Sequence, residues 1–310
     1  MTTTLIIGAP SSGKTTLRDN IKTNNDIILN RDTEGGTIAD LLPKLEKCLQ
    51  EKQNVILDNL FPTIESRKPF IDLCKSYDTN INCIYVDTSI EDAQFNFVSR
   101  MIKKYGKFLS MEEIKKSKDP GLFPPVVFFK YKKEFQKPTL NEGFSNLEVF
   151  HFERKDDTSF TNKALICDFD GTLRECVGGN GKYPTEFDHI EINKNAIKTL
   201  LHFKENGYLL LGVSNQSGIS KKELTNEKCI ELFDYTNKQL GFDIDYSFCP
   251  HQSAPVSCYC RKPQTGLFVD FMFKYKLNRK ECLMVGDLKT DETFSNRSGL
   301  QFVYANEFFK

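Results

Sequence analysis

Two short stretches of this chain carry residue types that handle phosphoryl groups, one suited to adding them and one to taking them off. Gly8 to Thr15 reads GAPSSGKT, a full GxxxxGK(S/T) pattern directly after the apolar run Leu5, Ile6, Ile7. In such a loop, backbone N–H groups and the N-terminus of the following helix surround phosphates. Lys14 reaches the transferring group and Thr15 helps to hold magnesium. Gly8, Ser11, Ser12, Gly13 and Thr16 complete the expected ATP cradle. A kinase acting on a hydroxyl also needs a carboxylate beside the attacking oxygen, and Asp32, just past the strand-like Ile27 to Leu29, is placed for that task. Asp168 to Thr172 reads DFDGT after a second apolar run, Ala164 to Cys167. Its two aspartates suit phosphate removal.

Between these loops and beyond them, the sequence supplies the elements that must position them. Strand-like runs at Leu5 to Gly8, Ile27 to Leu29, Asn54 to Asp58 and Asn82 to Val86 alternate with helical stretches such as Thr37 to Gln50 and Ile64 to Lys75. This βαβ alternation predicts a parallel sheet with helices on both faces. From Arg100 the chain turns basic, with Lys103, Lys104, Lys107, Lys115, Lys116 and Lys118 set against few acids. That stretch reads either as a solvated helical face or as a lid or track for phosphates. Leu147 to Phe152 closes the first series, and the polar Glu153 to Asn162 reads as a linker. A second series follows, with strands at Ala164 to Cys167, Tyr208 to Val213, Tyr246 to Cys249, Glu281 to Val285 and Gln301 to Tyr304. The fold class is therefore α/β, two doubly wound parallel-sheet domains, 1–155 and 163–310, each expected to carry its chemistry at the carboxyl edge of its sheet.

Composition narrows the setting. Lys+Arg and Asp+Glu both total 42 in 310 residues, which excludes a general basic coat for nucleic acid and leaves only local contacts. No apolar stretch approaches the ~20 residues that cross a bilayer, and the N-terminus lacks a basic leader, so a soluble intracellular protein without membrane partners is expected. Most of the ten cysteines lie in apolar stretches, where a thiol acts as a small hydrophobe. Four residues stand apart: Cys249, His251, Cys258 and Cys260 form CxH, a gap, then CxC, two close pairs able to give zinc an S₃N set. Four protein ligands would leave no open position, making such a zinc structural. Unrelated buried thiols or a disulfide are the alternative.

The residues also carry resemblances. NRDT (Asn30 to Thr33) after a P-loop, followed by Asp58 and Asn59 at a strand end and by KPTLNEGF (Lys137 to Phe144), resembles the kinase domain of polynucleotide 5′-hydroxyl kinases. That resemblance implies that Asp32 activates a nucleic-acid 5′-hydroxyl and that Arg100 is a lid arginine on the donor phosphates. One position departs from the phage members: where they have an arginine that grips the acceptor phosphate, this chain has Gly35. Arg31 and Arg67 are the substitutes to consider.

DFDGT resembles the haloacid dehalogenase superfamily of aspartyl phosphatases. The implied roles are Asp168 as nucleophile and Asp170 as acid and base, with Ser214 and Asn215 on the phosphoryl group and Lys262 neutralising it. Magnesium would be held by Asp168, the backbone carbonyl of Asp170 and Asp287, with Asp291 in support. Arg261, next to Lys262, is a candidate substrate contact. SNQSGI and CxCRKP also resemble the zinc-containing heptose bisphosphate and histidinol phosphate phosphatases. Together these motifs predict an enzyme that heals DNA or RNA ends, phosphorylating 5′-hydroxyls with ATP and removing 3′-phosphates, with Mg²⁺ and Zn²⁺ as metals. Its products would be what a ligase consumes. The rival expectation is a small-molecule kinase fused to a sugar-phosphate or histidinol-phosphate phosphatase.

Overall fold

Apolar runs of β-branched residues next to glycine-rich loops build two sheets of the same design. The structure, a computed structural model, describes residues 1–178 and 183–310. The chain divides into two compact units: Met1–Phe97 with Lys116–Arg154, and Val98–Lys115 with Lys155–Lys310. The stretch Val98–Lys115, which the sequence reading put in the first domain, therefore groups with the second.

In the first unit β1 (Thr2–Gly8), β2 (Asp26–Leu29), β3 (Asn54–Asp58), β4 (Asn80–Asp87) and β5 (Asn146–His151) form an all-parallel sheet in the order β2-β3-β1-β4-β5. Helices α1 (Lys14–Ile21), α2 (Arg31–Glu34), α3 (Leu42–Gln50), α4 (Ile64–Ser76) and the start of α5 (Ile90–Tyr105) follow the strands, and α7 (Val126–Glu134) precedes β5, while the rest of α5 and nearly all of α6 (Met111–Lys116) fall in the stretch grouped with the second unit. Successive residues of β1 face opposite ways. Leu5 and Ile7 enter a core with Leu29, Leu57, Phe70 and Cys83, while Ile6 packs with Ile56 and Val86 on the other face.

The second sheet has β6 (Ala164–Cys167) at its centre. A short antiparallel hairpin, β7 (Arg174–Cys176) with β8 (Ile190–Ile192), precedes α8 (Lys194–Glu205), β9 (Leu209–Asn215), α9 (Ser217–Ser220), α10 (Asn226–Leu240) and β10 (Asp245–Cys249). Then come α11 (Gly266–Tyr275), β11 (Leu283–Gly286), α12 (Lys289–Ser298), β12 (Gln301–Tyr304) and α13 (Ala305–Phe308). The order β10-β9-β6-β11-β12, all parallel, repeats the logic of the first sheet. In both, the chain leaves the central first strand to one side and returns to the other. The carboxyl end of that strand is the switch point at which open parallel sheets bind ligands. Both sequence-predicted loops occupy it.

Each expected sheet strand is present, Asn54–Asp58, Ala164–Cys167 and Gln301–Tyr304 with the expected ends and the others with shifted ones, and the doubly wound architecture holds. The β7–β8 hairpin had no signal, since three residues a side are too few to show alternation. The polar stretch read as a linker is anchored within each unit. Arg154 pairs with Asp92 at 2.5 Å and lies 3.6 Å from the Phe95 ring centroid, while Asp156 pairs with Arg279 and Lys280.

Candidate active sites

At the end of β1 the loop turns back on itself so that its carbonyls are occupied. Ser12 N–H donates to Ala9 O (3.2 Å), Thr88 Oγ1 to Ser12 O (2.9 Å) and Asn96 Nδ2 to Ser11 O (3.2 Å). A side chain at Gly8 would run into Ser12 Oγ and the Val86 carbonyl, so only glycine allows the turn. Lys14 caps the loop, its Nζ donating to Gly8 O (3.0 Å) and Ala9 O (2.7 Å). The hydroxyls of Ser11 and Ser12 are buried and carry no hydrogen bond within the protein. Buried polar atoms are normally satisfied, so these two fit a phosphate-bearing ligand.

The neighbouring strand ends add the remaining groups. Thr15 Oγ1 donates to Asp58 Oδ2 (3.1 Å), and Arg18 Nη1 reaches the same oxygen (3.2 Å). Asn30 Nδ2 donates to the Asp58 carbonyl (2.5 Å) and Arg31 N–H to Asn59 Oδ1 (3.0 Å). The NRD and DN motifs are thus cross-bonded. Asn30 also caps α2 by accepting from Asp32 N–H (2.7 Å), which leaves the Asp32 carboxylate free of capping duty, exposed and paired with Arg31 at 2.9 Å. The contact of Thr15 with Asp58 joins a hydroxyl and a buried carboxylate, the two protein ligand types a P-loop offers magnesium. Thr16 is exposed one residue on.

The second site is denser. Asp168, 6 % exposed, accepts Phe169 N–H (2.8 Å) and faces Lys262 Nζ (2.9 Å), both through Oδ1, so that Oδ2 is left for attack. Lys262 is buried between Asp168 and Asp291 (2.7 Å) and also donates to Val213 O (2.9 Å). Burial works against its charge, but the Asp168 and Asp291 carboxylates outweigh that and raise its pKa. For Asp168 burial wins: it pushes the carboxyl up against the pull of Lys262, helped by Asp291 and Asp170. The protein packed around Asp287, and then the Asp291 charge, raise its carboxyl to about 6, although the residue is open to solvent.

Carboxylate oxygens of Asp168, Asp287 and Asp291 all lie within 4.8 Å of one another. A side chain on Gly171, whose φ is +81°, would collide with Asp287. Three crowded carboxylates against one lysine fit a bound cation. Asp170 is held through both oxygens, by Arg174 Nε (2.8 Å) and by Gln216 Nε2 (2.7 Å), and Gln216 Nε2 also donates to the buried Ser214 hydroxyl (2.9 Å).

Where β10 ends, the chain gathers Cys249, His251, Cys258 and Cys260. Cys249 Sγ lies 3.7 Å from Cys258 Sγ and 3.4 Å from His251 Nδ1, and Cys260 Sγ lies 3.3 Å from His251 Nδ1. The sulfurs are too far apart for a disulfide, and all ten cysteines are free. Hydrogen bonds from Cys249 and Cys260 pull the Cys258 thiol down, while contacts with Cys249 and Cys258 push up Cys260 and raise His251 to about 10.

Comparison with known proteins agrees with both halves. A family model described as polynucleotide kinase 3 phosphatase matches residues 163–309. Residues 163–309, just under half of the chain, thus match that phosphatase family. An AAA-domain model matches residues 4–119, the P-loop part. The bifunctional polynucleotide phosphatase/kinase of Schizosaccharomyces pombe is 34% identical over 150 residues, 48% of this chain and 33% of that protein. The match thus spans a third of that relative's length. A probable D-glycero-D-manno-heptose-1,7-bisphosphate 7-phosphatase of Thermoplasma volcanium is 33% identical over 146 residues, 45% of this chain and 96% of that protein. Among solved structures, a chain of the Pnkp1/Rnl/Hen1 complex is 16% identical over 98% of this chain and 96% of its own, with a TM-score of 0.36.

A P-loop kinase domain and a phosphatase domain of this family imply ATP and magnesium, which the residues above fit. No helix among the described residues is long and apolar enough to cross a membrane.

Several expected site residues are placed elsewhere. Arg67 is fully buried, its guanidinium bound to Glu142 (2.6 Å) and Phe61 O (2.9 Å), so it is a structural clamp and not a substrate contact. Its partner lies in KPTLNEGF, which gives that segment a structural task. Asn215 has both ends of its carboxamide on the backbone of Lys262 (2.9 and 3.0 Å), so it positions the lysine instead of binding the phosphoryl group. Arg261 Nη1 donates to His251 O (2.9 Å) and ties the cysteine loop to the residue before Lys262. Arg100 is exposed on α5, in the stretch grouped with the second unit, and acts electrostatically on the Tyr259 phenol. Arg18, Arg174 and Gln216 lie outside the motif positions that the sequence marks for these sites, and their contacts appear only in the fold. Gln216 was within reach, since it sits in SNQSG.

Proposed function

We propose that the chain is a nucleic-acid end-healing enzyme that phosphorylates 5′-hydroxyl ends and removes 3′-phosphates, with the first activity in 1–155 and the second in 163–310. The observation that supports this best is the cross-bonding of the β2 and β3 ends, because it brings a hydroxyl-activating carboxylate, Asp32, to the P-loop site through Asn30, Asn59 and Asp58. Asp32 takes the proton of the attacking 5′-hydroxyl. Lys14 and the loop N–H groups hold the donor phosphates. With Arg67 committed elsewhere, Arg31 is the cation beside Asp32 that grips the acceptor.

In the second site Asp168 Oδ2 attacks phosphorus while Asp170 gives a proton to the departing 3′-oxygen, and Asp170 then takes a proton from the water that hydrolyses the aspartyl phosphate. Ser214 and Lys262 hold the phosphoryl oxygens. Magnesium, when bound, supplies positive charge at both sites. The cysteine cluster holds structural zinc: the 3.7 Å separation of Cys249 and Cys258 matches the roughly 3.8 Å edge of a tetrahedron built on zinc–sulfur bonds of about 2.3 Å. Such a zinc would brace the loop that leads into Arg261 and Lys262.

The heptose bisphosphate phosphatase relatives support a second reading for the phosphatase half alone. One assay separates the two: labelled oligonucleotides with 5′-hydroxyl and 3′-phosphate ends, with ATP, beside heptose bisphosphate. Turnover of the sugar phosphate with none of the oligonucleotide ends would defeat the end-healing reading. The healed 5′-phosphate and 3′-hydroxyl are the ends a ligase joins.

A further inference from the structure

The environment of Arg174 is more elaborate than a charge on a short strand requires. It opens β7, four residues after Asp170, and is 1 % exposed. Its Nε donates to Asp170 Oδ1 (2.8 Å), and its Nη1 donates to Leu232 O (2.8 Å) and Thr236 Oγ1 (2.9 Å) on α10. The guanidinium carbon lies 4.8 Å from the Phe233 ring centroid and 5.5 Å from that of Phe169, which leaves it little freedom to swing. The backbone closes the same loop: Gly171 N–H donates to Arg174 O (2.8 Å) and Arg174 N–H to Phe169 O (3.0 Å). Burying a guanidinium is costly unless its partners are well placed, and here they fix one neighbour, Asp170.

We infer that Arg174 is a positioning residue for the acid and base of the phosphatase reaction, an inference that rests on the reading of Asp170 given above. Arg174 takes Oδ1 out of proton transfer. Gln216 holds Oδ2, and the same Gln216 nitrogen holds Ser214 Oγ, so Oδ2 faces the phosphoryl side of the site. In the first step the Asp168 Oδ2–phosphorus bond forms, the phosphorus–O3′ bond breaks with its electron pair on O3′, and the proton on Asp170 Oδ2 moves to that oxygen. In the second, water oxygen bonds phosphorus, its proton goes to Asp170 Oδ2, and the bond to Asp168 breaks with the pair returning to the carboxylate. Asp170 ends as it began, and one water is consumed. A misdirected Oδ2 hinders both steps when the leaving group is an alkoxide. It hinders only the second when the leaving group is p-nitrophenolate, which departs without a proton.

The test compares the full chain with Arg174→Lys, Thr236→Val and Asp170→Asn on a 3′-phosphorylated oligonucleotide and on p-nitrophenyl phosphate, with thermal unfolding as the check on folding. Arg174→Lys should lose on the order of 100-fold in kcat on the oligonucleotide, as expected for a misplaced reacting group, with KM little changed. On p-nitrophenyl phosphate it should release a burst of p-nitrophenolate equal to the enzyme, followed by slow turnover. Thr236→Val, which removes one anchor of the guanidinium, should show the same pattern more weakly, and it carries the test if Arg174→Lys fails to fold. Equal losses on both substrates without a burst, or normal oligonucleotide turnover in both variants beside an inactive Asp170→Asn, would overturn the inference alone. Normal turnover in Asp170→Asn would overturn the reading of Asp170 and this inference with it.

Discussion

The two sheets are both five-stranded, parallel and doubly wound about a central first strand, with different orders on one side of it (β2-β3-β1 against β10-β9-β6), and they place their reactive loops at the same point, yet their reactive carboxylates live in opposite surroundings. Asp32 has half its side chain (51%) in solvent and pairs with Arg31, itself 44% exposed, whereas the Asp168 side chain is 9% exposed and locked to Lys262. A buried, pre-paired nucleophile is ready to react as it stands, since its dipoles are fixed before substrate arrives. An exposed base gains its strength only when bound substrate excludes water from it. The same α/β frame therefore supports a site that is built in advance and one that its ligands must complete.

The largest effects should come from breaking each site singly. Asp168→Ala should lower 3′-phosphate removal by on the order of 10⁴-fold or more while leaving 5′-phosphorylation intact, and Asp32→Ala should do the reverse. Both activities would be followed on one doubly reactive oligonucleotide. Loss of both in either well-folded variant would mean that the two sheets serve one composite site.

Stability should separate the sites as sharply. Lys262→Met leaves Asp168 and Asp291 buried without their cation, so it should cost about 3–5 kcal/mol in denaturant titration of the phosphatase transition. Arg31→Ala removes a solvent-exposed pair and should leave the kinase transition nearly where it was. Similar shifts for the two would undo the contrast between built and unbuilt sites.

Next in size comes the cysteine cluster, which has no counterpart among the described residues of the first unit. Purified protein should carry about one tightly held zinc. Cys258→Ser should release it, lower the phosphatase transition and spare kinase activity. Active wild-type enzyme without zinc on metal analysis would remove the proposed brace.

How much of this was legible in the sequence depended on range. The catalytic loops follow apolar runs and carry their own glycines, so both sheets and both switch points could be read locally. What was missed depends on partners far along the chain. Arg67 meets Glu142 75 residues away, and Arg174 meets Asp170 locally but α10 only through the fold. Arg67 did leave one local trace. It falls in line with Phe70, Ile71 and Cys74 on the buried face of α4, at helical spacing, which argued against the solvent-facing role expected for it. Asn215 was misjudged for another reason: its type suits a phosphoryl contact, and only the register of β9 beside the Lys262 loop shows that its carboxamide is already used.

The subtlest consequence of the comparison concerns pH. Raised carboxyl pKa values mean that Asp168 and Asp287 bind a proton more firmly in the folded chain than in the unfolded one. Their favourable contribution is complete below the unfolded value of about 4 and is lost as pH rises through the folded values, which for Asp287 is about 6. Above that, ionised carboxylates crowd Asp291, and a divalent cation relieves what protons no longer do. Magnesium should therefore raise the thermal midpoint of the phosphatase transition by a few degrees more at pH 8 than at pH 5, measured against matched ionic strength. Asp287→Asn should lose most of that difference. A magnesium gain that is equal at the two pH values, or larger at pH 5, would show that these carboxylates do not set the charge balance of the site.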